Sequence, residues 1–362
     1  MISRVGAWPY DRVRRDLIEN PRTWLVTGVA GFIGSNLLEE LLTLGQTVIG
    51  LDDFSTGFQV NIDDVLASPA GSLGKFKFIR GDIRDLNACK KATRGVDFVL
   101  HQAALGSVPR SIDDPSTSNS VNVDGFINVL LAARDAGVKR VVYASSCAVY
   151  GDSTSVPLHE EASGNLLSPY AAMKLTNEIY ASVFQRTYGL SLVGLRYFNV
   201  FGPRQDPNGA YAAVIPKWIS SLLRGDACEI HGDGETSRDF CHVANVAQAN
   251  ILSATSSRSI GHAPVYNVAC GRETTLNELF RMIRLGLVGF QPAISSSQPV
   301  YGAFRDGDIR RSAADISKIQ QQLDYEPTHT TAQGLGQALE WYVEHSSTSA
   351  APAEDRAVAA VR

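Results

Sequence analysis

No run of about 18 consecutive apolar residues occurs anywhere in this 362-residue chain, so no membrane-spanning helix and no membrane partner are expected. Cysteine is scarce and unpatterned. Cys89, Cys147, Cys228, Cys241 and Cys270 are odd in number, widely spaced, and never form C-x-x-C. That spacing speaks against a zinc site or a disulfide framework, so no metal is expected, and a reducing cytoplasm fits best. Positive charge is not in excess either. With 33 Lys and Arg against 37 Asp and Glu, the formal charge is −4, which argues against nucleic acid as a main partner. The N-terminus lacks the long apolar centre of a secretory signal. What the chain does have is an apolar content of 44%, enough to build a full core.

The order of apolar runs is informative. Strands are expected at Thr23–Thr27, Thr47–Asp52, Phe76–Gly81, Asp97–Gln102, Arg140–Ser146 and Leu192–Tyr197, with helices between them at Phe32–Leu44, Leu86–Thr93, Thr117–Ala136 and Pro169–Tyr188. Such alternation predicts an α/β fold, a doubly wound parallel Rossmann sheet covered on both faces. After Asn199 the pattern breaks into loops rich in Gly, Pro, Asn and Asp, with helices at Val214–Arg224 and Leu276–Leu287. This part reads as a smaller mixed α/β C-terminal lobe. The expected division is an extension over 1–21 containing a short helix near Tyr10–Asn20, a dinucleotide-binding domain over 22–200 plus about 239–262, a substrate lobe over 201–238 and 263–345, and a disordered Ser-, Thr-, Ala- and Pro-rich tail over 346–362.

Gly28, Gly31 and Gly34 follow the first strand in the spacing G-x-x-G-x-x-G and open a helix through Phe32 and Ile33. Glycine lets the backbone approach a pyrophosphate, and a helix N-terminus supplies free N–H groups and positive potential. Asp52 ends the next strand, 24 positions after Gly28. A carboxylate there accepts bonds from ribose hydroxyls and repels a 2′-phosphate, which selects NAD over NADP. Asp53 follows at once and competes for that role. Asp82-Ile83 and Gln102-Ala103-Ala104 end the third and fourth strands at the same sheet edge; the alternative reading of Asp82 is a helix cap.

Tyr170 and Lys174 lie four apart on a helix begun by Ser168-Pro169. Residues at that spacing share a face, and an ammonium near a phenol is expected to lower its pKa and make it a usable base. Ser145 and Ser146 end the fifth strand, where a hydroxyl could share a proton with Tyr170 and a substrate oxygen.

As a set, Thr27–Gly34, Asp82, His101–Ala104, Asn122-Val-Asp-Gly125, Ser145-Ser146 with Val149-Tyr150-Gly151, Tyr170–Lys174, Arg196-Tyr-Phe-Asn199 and Arg238-Asp239-Phe240 resemble the extended short-chain dehydrogenase/reductase family. Within it they resemble the UDP-hexose 4-epimerases of bacterial polysaccharide biosynthesis. The resemblance implies NAD as cofactor, Tyr170 as base, Lys174 as its partner on the nicotinamide ribose, and Ser146 as the hydroxyl partner. It places Asn122 beside the cofactor, Asn199 on the sugar diphosphate, and Arg238, Arg305 and Asp308 on the diphosphate and uridine ribose. Val214, Lys217 and His231 would line the uridine pocket, with Glu229 facing out, and Ser107 and Ser145 would lie near the sugar.

Subfamilies diverge after the catalytic serine. Dehydratases carry Asp-Glu there and decarboxylases keep the Glu, whereas this chain has Cys147-Ala148. A 4-epimerase is therefore expected, with a 4,6-dehydratase, a UDP-glucuronate decarboxylase or a non-catalytic NAD-binding protein as alternatives. Enzymes restricted to UDP-glucose resemble this chain except for a tyrosine where it has Ser312. A small residue there implies room for an N-acetyl group, hence UDP-N-acetylglucosamine and UDP-N-acetylgalactosamine; Arg110 and Arg311 leave the matching uronic acids open. The family also implies a homodimer through the helix carrying Tyr170.

Overall fold

The structure, a computed structural model, describes residues 9–208, 212–258, 261–304 and 309–345. Its spine is a seven-stranded parallel sheet. The strands are β1 (Thr23–Thr27), β2 (Thr47–Asp52), β3 (Lys75–Arg80), β4 (Phe98–His101), β5 (Arg140–Ser146), β6 (Leu192–Tyr197) and β7 (Val265–Val268). Their order across the sheet is β7-β6-β5-β4-β1-β2-β3. In-register pairs such as Leu25↔Ile49 and Leu25↔Val99 place β1 between β2 and β4. That is where the winding direction reverses, and ligands in such sheets bind beyond the carboxyl ends of the strands at this point.

Central strands such as β4 and β6 are buried along their whole length because both faces carry helices, which is why they read as unbroken apolar runs. One face packs Trp24, Val48 and Tyr266 against α1 (Pro9–Glu19), α2 (Phe32–Thr43), α3 (Gln59–Ala67), α10 (Val243–Thr255) and α12 (Ser317–Leu323). The other packs Leu25, Leu51 and Tyr143 against α4 (Leu86–Ala92), α7 (Gly125–Asp135) and α8 (Pro169–Tyr188). Two short helices, α5 (Val108–Asp113) and α6 (Pro115–Asn119), lead into α7. The lobe has its own core of Phe201, Trp218, Ile219, Phe280, Ile283 and Leu339, built on α9 (Val214–Arg224), α11 (Leu276–Val288) and α13 (Thr331–Glu344). Between them run two- and three-residue strands, with Ser237–Arg238 flanked by Thr274–Thr275 and Arg311–Ser312.

Three differences from the sequence expectation stand out. Val265–Val268, assigned by pattern to the substrate lobe, is the edge strand of the central sheet, Val265 pairing with Gly194 and Val268 with Tyr197. Four residues after a Pro, three of them buried, are too short a run to announce a strand by periodicity. The helix expected at Thr117–Ala136 is α6 and α7 joined by a π-helical turn at Ser120–Asp124. α3, α5, α12 and α13 carried no reading at all. The disordered tail expected over 346–362 lies outside the described residues. The extension does form a helix on the body: the Tyr10 hydroxyl donates to Glu40 Oε1 at 2.9 Å and Gln46 Nε2 donates to the Leu17 carbonyl at 2.8 Å.

Candidate active site

The glycine turn after β1 is built for close approach. Gly28 has φ +70°; a Cβ there would sit 2.7 Å from Ala103 N, and one on Gly34 would sit 1.9 Å from the Gly28 carbonyl. α2 then starts at Gly31 with no side-chain cap and no acidic residue in its first turn. Its leading N–H groups and positive end are thus left for an anion. They face a cleft of about 470 Å³ along the carboxyl edge of the sheet, lined by Gly28, Gly31, Phe32, Ile33, Gly34, Asp52, Asp82, Ile83, Gln102, Ala103, Ala104, Ser145, Ser146, Tyr170 and Lys174. These residues fit a dinucleotide, with the pyrophosphate at the helix start.

Asp52 and Asp53 both stand on the cleft wall. Asp52 is the buried one, its carboxylate accepting from Ala30 N at 2.9 Å and Phe54 N at 2.8 Å, and burial raises its pKa. Asp82 is not a cap. Asp85 caps α4 by accepting from Asn87 N, while Asp82 pairs with Arg84 Nε at 2.8 Å, which lowers its pKa. Asn122 lies behind the wall rather than on it. Its amide clasps Leu105 at both ends, Oδ1 accepting from the N–H at 2.8 Å and Nδ2 donating to the carbonyl at 3.1 Å. The residue expected beside the cofactor is the brace of the 103–107 loop.

The chemical groups meet at the mouth of this cleft. Ser168 caps α8 through its hydroxyl, which accepts from Ala171 N, and Gly189 ends the helix at φ 71°. Tyr170 and Ser146 line this cleft together, and the Ser146 Oγ accepts from Ala148 N at 3.1 Å. The Lys174 ammonium donates to the Ala144 carbonyl at 2.7 Å and lies 5.7 Å from the Tyr170 ring centre. The expected fall in the Tyr170 pKa is not what this geometry produces. Desolvation pushes the phenol up to about 12, while the Ser146 hydroxyl works in the lowering direction. Lys174 spends its proton on a carbonyl, and burial brings it down to about 8.

A second cavity of about 220 Å³ opens in the lobe, lined by Asn199, Val214, Lys217, His231 and Arg238 together with Ala212, Trp218, Glu229, Thr236, Phe240 and Leu276. Asn199, held at φ 31°, lines both cavities and donates to the Asp239 carbonyl at 3.2 Å. Arg238 donates to the Ile309 carbonyl at 2.6 Å. Glu229 is exposed, as expected, yet its carboxylate reaches to 3.7 Å from His231 Nε2.

Other expected site residues are elsewhere. Ser107 caps α5, accepting from Arg110 N at 3.2 Å. Ser145 stays on the cleft wall, but its hydroxyl is committed to Glu178 Oε1, to which it donates at 2.6 Å. Ser312 is buried and pairs with Arg238 across neighbouring strands, and it lines neither cavity among the described residues. Arg311 is held by Glu273 at 2.9 Å. Arg305 and Asp308 lie outside the described residues.

The sequence pattern of the NAD dependent epimerase/dehydratase family matches residues 24–269. The chain belongs to that family. It is an NAD-dependent enzyme of the extended short-chain dehydrogenase/reductase type. It is 37% identical over 320 residues to the UDP-glucose 4-epimerase of Mycolicibacterium smegmatis, covering 88% of this chain and 97% of that one. Among solved structures it is similar to the UDP-N-acetylglucosamine 4-epimerase of Methanobrevibacter ruminantium in complex with UDP-N-acetylmuramic acid, with a TM-score of 0.81, 38% identity, and coverage of 90% and 99%. It is also similar to the dTDP-glucose 4,6-dehydratase DesIV of Streptomyces venezuelae, with a TM-score of 0.78, 34% identity, and coverage of 90% and 98%.

Gln102, expected at the cofactor, is held by two partners that pattern reading missed. Tyr197 OH donates to Gln102 Oε1 at 3.1 Å, Gln102 Nε2 to Asn250 Oδ1 at 3.1 Å, and Asn250 Nδ2 to Tyr197 OH at 2.8 Å. This closed ring fixes Gln102 on the cleft floor. Its members come from three distant parts of the chain, so no local signal joins them. Gly57 was readable in principle: it ends the Asp53–Gly57 loop after β2, and a Cβ there would meet Ala30 at 2.8 Å.

Proposed function

We propose that this chain is a UDP-sugar 4-epimerase that interconverts UDP-N-acetylglucosamine and UDP-N-acetylgalactosamine through a 4-keto sugar. The observation that carries the reading is the placement of Tyr170, Lys174 and Ser146 together on the dinucleotide cleft, with Cys147-Ala148 following the serine. No carboxyl group stands at those two positions to drive elimination or decarboxylation, which disfavours the dehydratase and decarboxylase alternatives. The named relatives include 4-epimerases of UDP-glucose and UDP-N-acetylglucosamine. Likeness to a solved UDP-N-acetylglucosamine 4-epimerase supports the acetamido sugar, whereas buried Ser312, on neither cavity among the described residues, adds nothing to that choice.

Gly28, Gly31, Gly34 and Asp52 would hold NAD on the cleft, which would supply a reversible hydride acceptor for the sugar C4 and a positive ring that would favour the Tyr170 phenolate. Tyr170 removes the sugar O4 proton directly or through Ser146 and gives it back after the sugar turns. Lys174 holds the ribose side of the site. Asn199, Lys217, Arg238 and His231 grip the nucleotide, together with Arg305 and Asp308, while the sugar stays free to rotate. Holding the diphosphate firmly suits charge-assisted bonds. We also infer a homodimer through α8, whose Ile179, Tyr180 and Val183 are exposed on one flank, in a cytoplasmic setting. No described helix is long and apolar enough to cross a membrane.

Incubating the purified protein with UDP-N-acetylglucosamine, UDP-glucose and UDP-glucuronate, without added NAD, tests the reading. The expected product is the 4-epimer, formed fastest from the acetamido sugar. A keto-deoxy sugar, a pentose or no product at all would each refute it.

A further inference from the structure

Tyr170, Lys174 and Glu178 are spaced by four on α8 and share one face of it. Each meets a successive residue at the end of β5. Tyr170 lines the cleft beside Ser146, Lys174 Nζ donates to the Ala144 carbonyl at 2.7 Å, and Glu178 Oε1 accepts from the Ser145 hydroxyl at 2.6 Å. The first two groups belong to the reaction. The third has had no part in it so far.

Glu178 is buried, and so is its partner Arg196 on β6. Arg196 Nε donates to Oε1 at 2.9 Å and the second guanidinium nitrogen donates to Oε2 at 2.7 Å. Arg196 is itself fixed: it donates to the Glu160 carbonyl at 2.8 Å and lies 4.8 Å from the Tyr150 ring centre. A fork-on-carboxylate pair of this kind has one geometry. Whatever else Glu178 touches is therefore held at a fixed height along α8.

We infer that Glu178 is a positioning residue of the reaction, fixing the end of β5 so that Ser146 meets Tyr170 and supplying the negative charge that faces Lys174. The inference rests on the epimerase reading above. The titratable groups around Lys174 are Tyr170 and Glu178 on its own helix and His101 on β4. Burial holds His101 neutral, down at about 3. Tyr143 on β5 and Arg196 on β6 stand next, both toward Glu178. Glu178 is thus the anion that opposes the desolvation of Lys174. The sign follows: Lys174 keeps its proton below about 8 and loses it above, and removing the Glu178 charge moves that loss to lower pH.

Glu178→Gln removes the charge and keeps the shape. Because it strands Arg196 in the interior, it is read beside the double variant Glu178→Met/Arg196→Met, which removes both charges at similar volume. In either variant that folds, kcat should fall about tenfold at neutral pH with KM within about twofold of wild type, the pattern of lost positioning. Independently of turnover, acylation of Lys174 by acetic anhydride can be followed by peptide mass spectrometry across pH. Its midpoint should drop by about one pH unit when the charge is gone. Ser145→Ala leaves the ion pair whole and should lower kcat about threefold with the midpoint unmoved. An unshifted midpoint in the folded charge variants, or an unchanged kcat in Ser145→Ala, overturns the inference. A wild-type protein inactive on every UDP-hexose would instead refute the epimerase reading, and the acylation midpoint would still decide the role of Glu178.

Discussion

The two cavities that meet at Asn199 are held together by different physics. The dinucleotide cleft sits on seven parallel strands with in-register ladders and a glycine turn that admits no Cβ at Gly34. Its polar groups are tied in the interior, as in the Gln102–Tyr197–Asn250 ring. The lobe cavity is walled by strands two and three residues long and fastened by ion pairs at the surface, such as Arg310 with Asp233 at 2.6 Å. Buried ties are costly to break and surface pairs contribute little. The first region is therefore a rigid bench for hydride and proton movement, and the second is an adjustable grip. Chemistry and affinity should come apart on mutation.

The sharpest separation comes from Tyr170→Phe. Turnover should drop by about a thousandfold, the scale of a lost general base, while calorimetry finds the UDP-sugar bound as before. Near-normal activity would break the comparison at its root. Gly34→Ala attacks the bench itself. The new methyl would lie 1.9 Å from the Gly28 carbonyl, so denaturant unfolding should show a loss of about 2–3 kcal/mol, together with NAD released on gel filtration. His231→Ala loosens only the grip. Losing a stacking face costs about 1 kcal/mol, so KM should rise roughly five- to tenfold with kcat retained; an equal loss in kcat would show that the two regions are not separable.

The smallest effect is expected at Asp239, where the regions join. Burial raises its carboxyl to about 6, against hydrogen bonds from Cys270 N and Arg272 N. A carboxyl raised in the folded state stabilises below its unfolded range near 3.9, and that contribution is lost as pH rises through 6. Between pH 5 and 7 the wild-type melting temperature should therefore carry a downward component, which Asp239→Asn removes.

The same contrast explains what could be read from the chain. α8 and α9 keep their expected limits, Pro169–Tyr188 and Val214–Arg224, because a capping serine opens α8 and a left-handed glycine closes each of them. Every catalytic group proposed from spacing lies on the cleft. Short elements were invisible: four residues of β7 and the two-residue strands carry no period. Neither the bond of Ser145 to Glu178 nor the clasp of Asn122 on Leu105 could be seen, since a serine beside a catalytic serine looks the same whether its hydroxyl meets substrate or a buried carboxylate. The Tyr170 pKa went the other way for a related reason. Sequence spacing sets distance along a helix but says nothing of how much water the fold removes.

One consequence follows from the bare first turn of α2. A helix that begins without a capping side chain is left incomplete by its own residues, and the incoming diphosphate finishes it. The bonds that hold the dinucleotide also close a turn of backbone, so ligand occupancy and local folding are one equilibrium observed in two ways. Protein stripped of its nucleotide should melt earlier and exchange its Gly31–Gly34 amides faster, and both properties should recover together on adding NAD back.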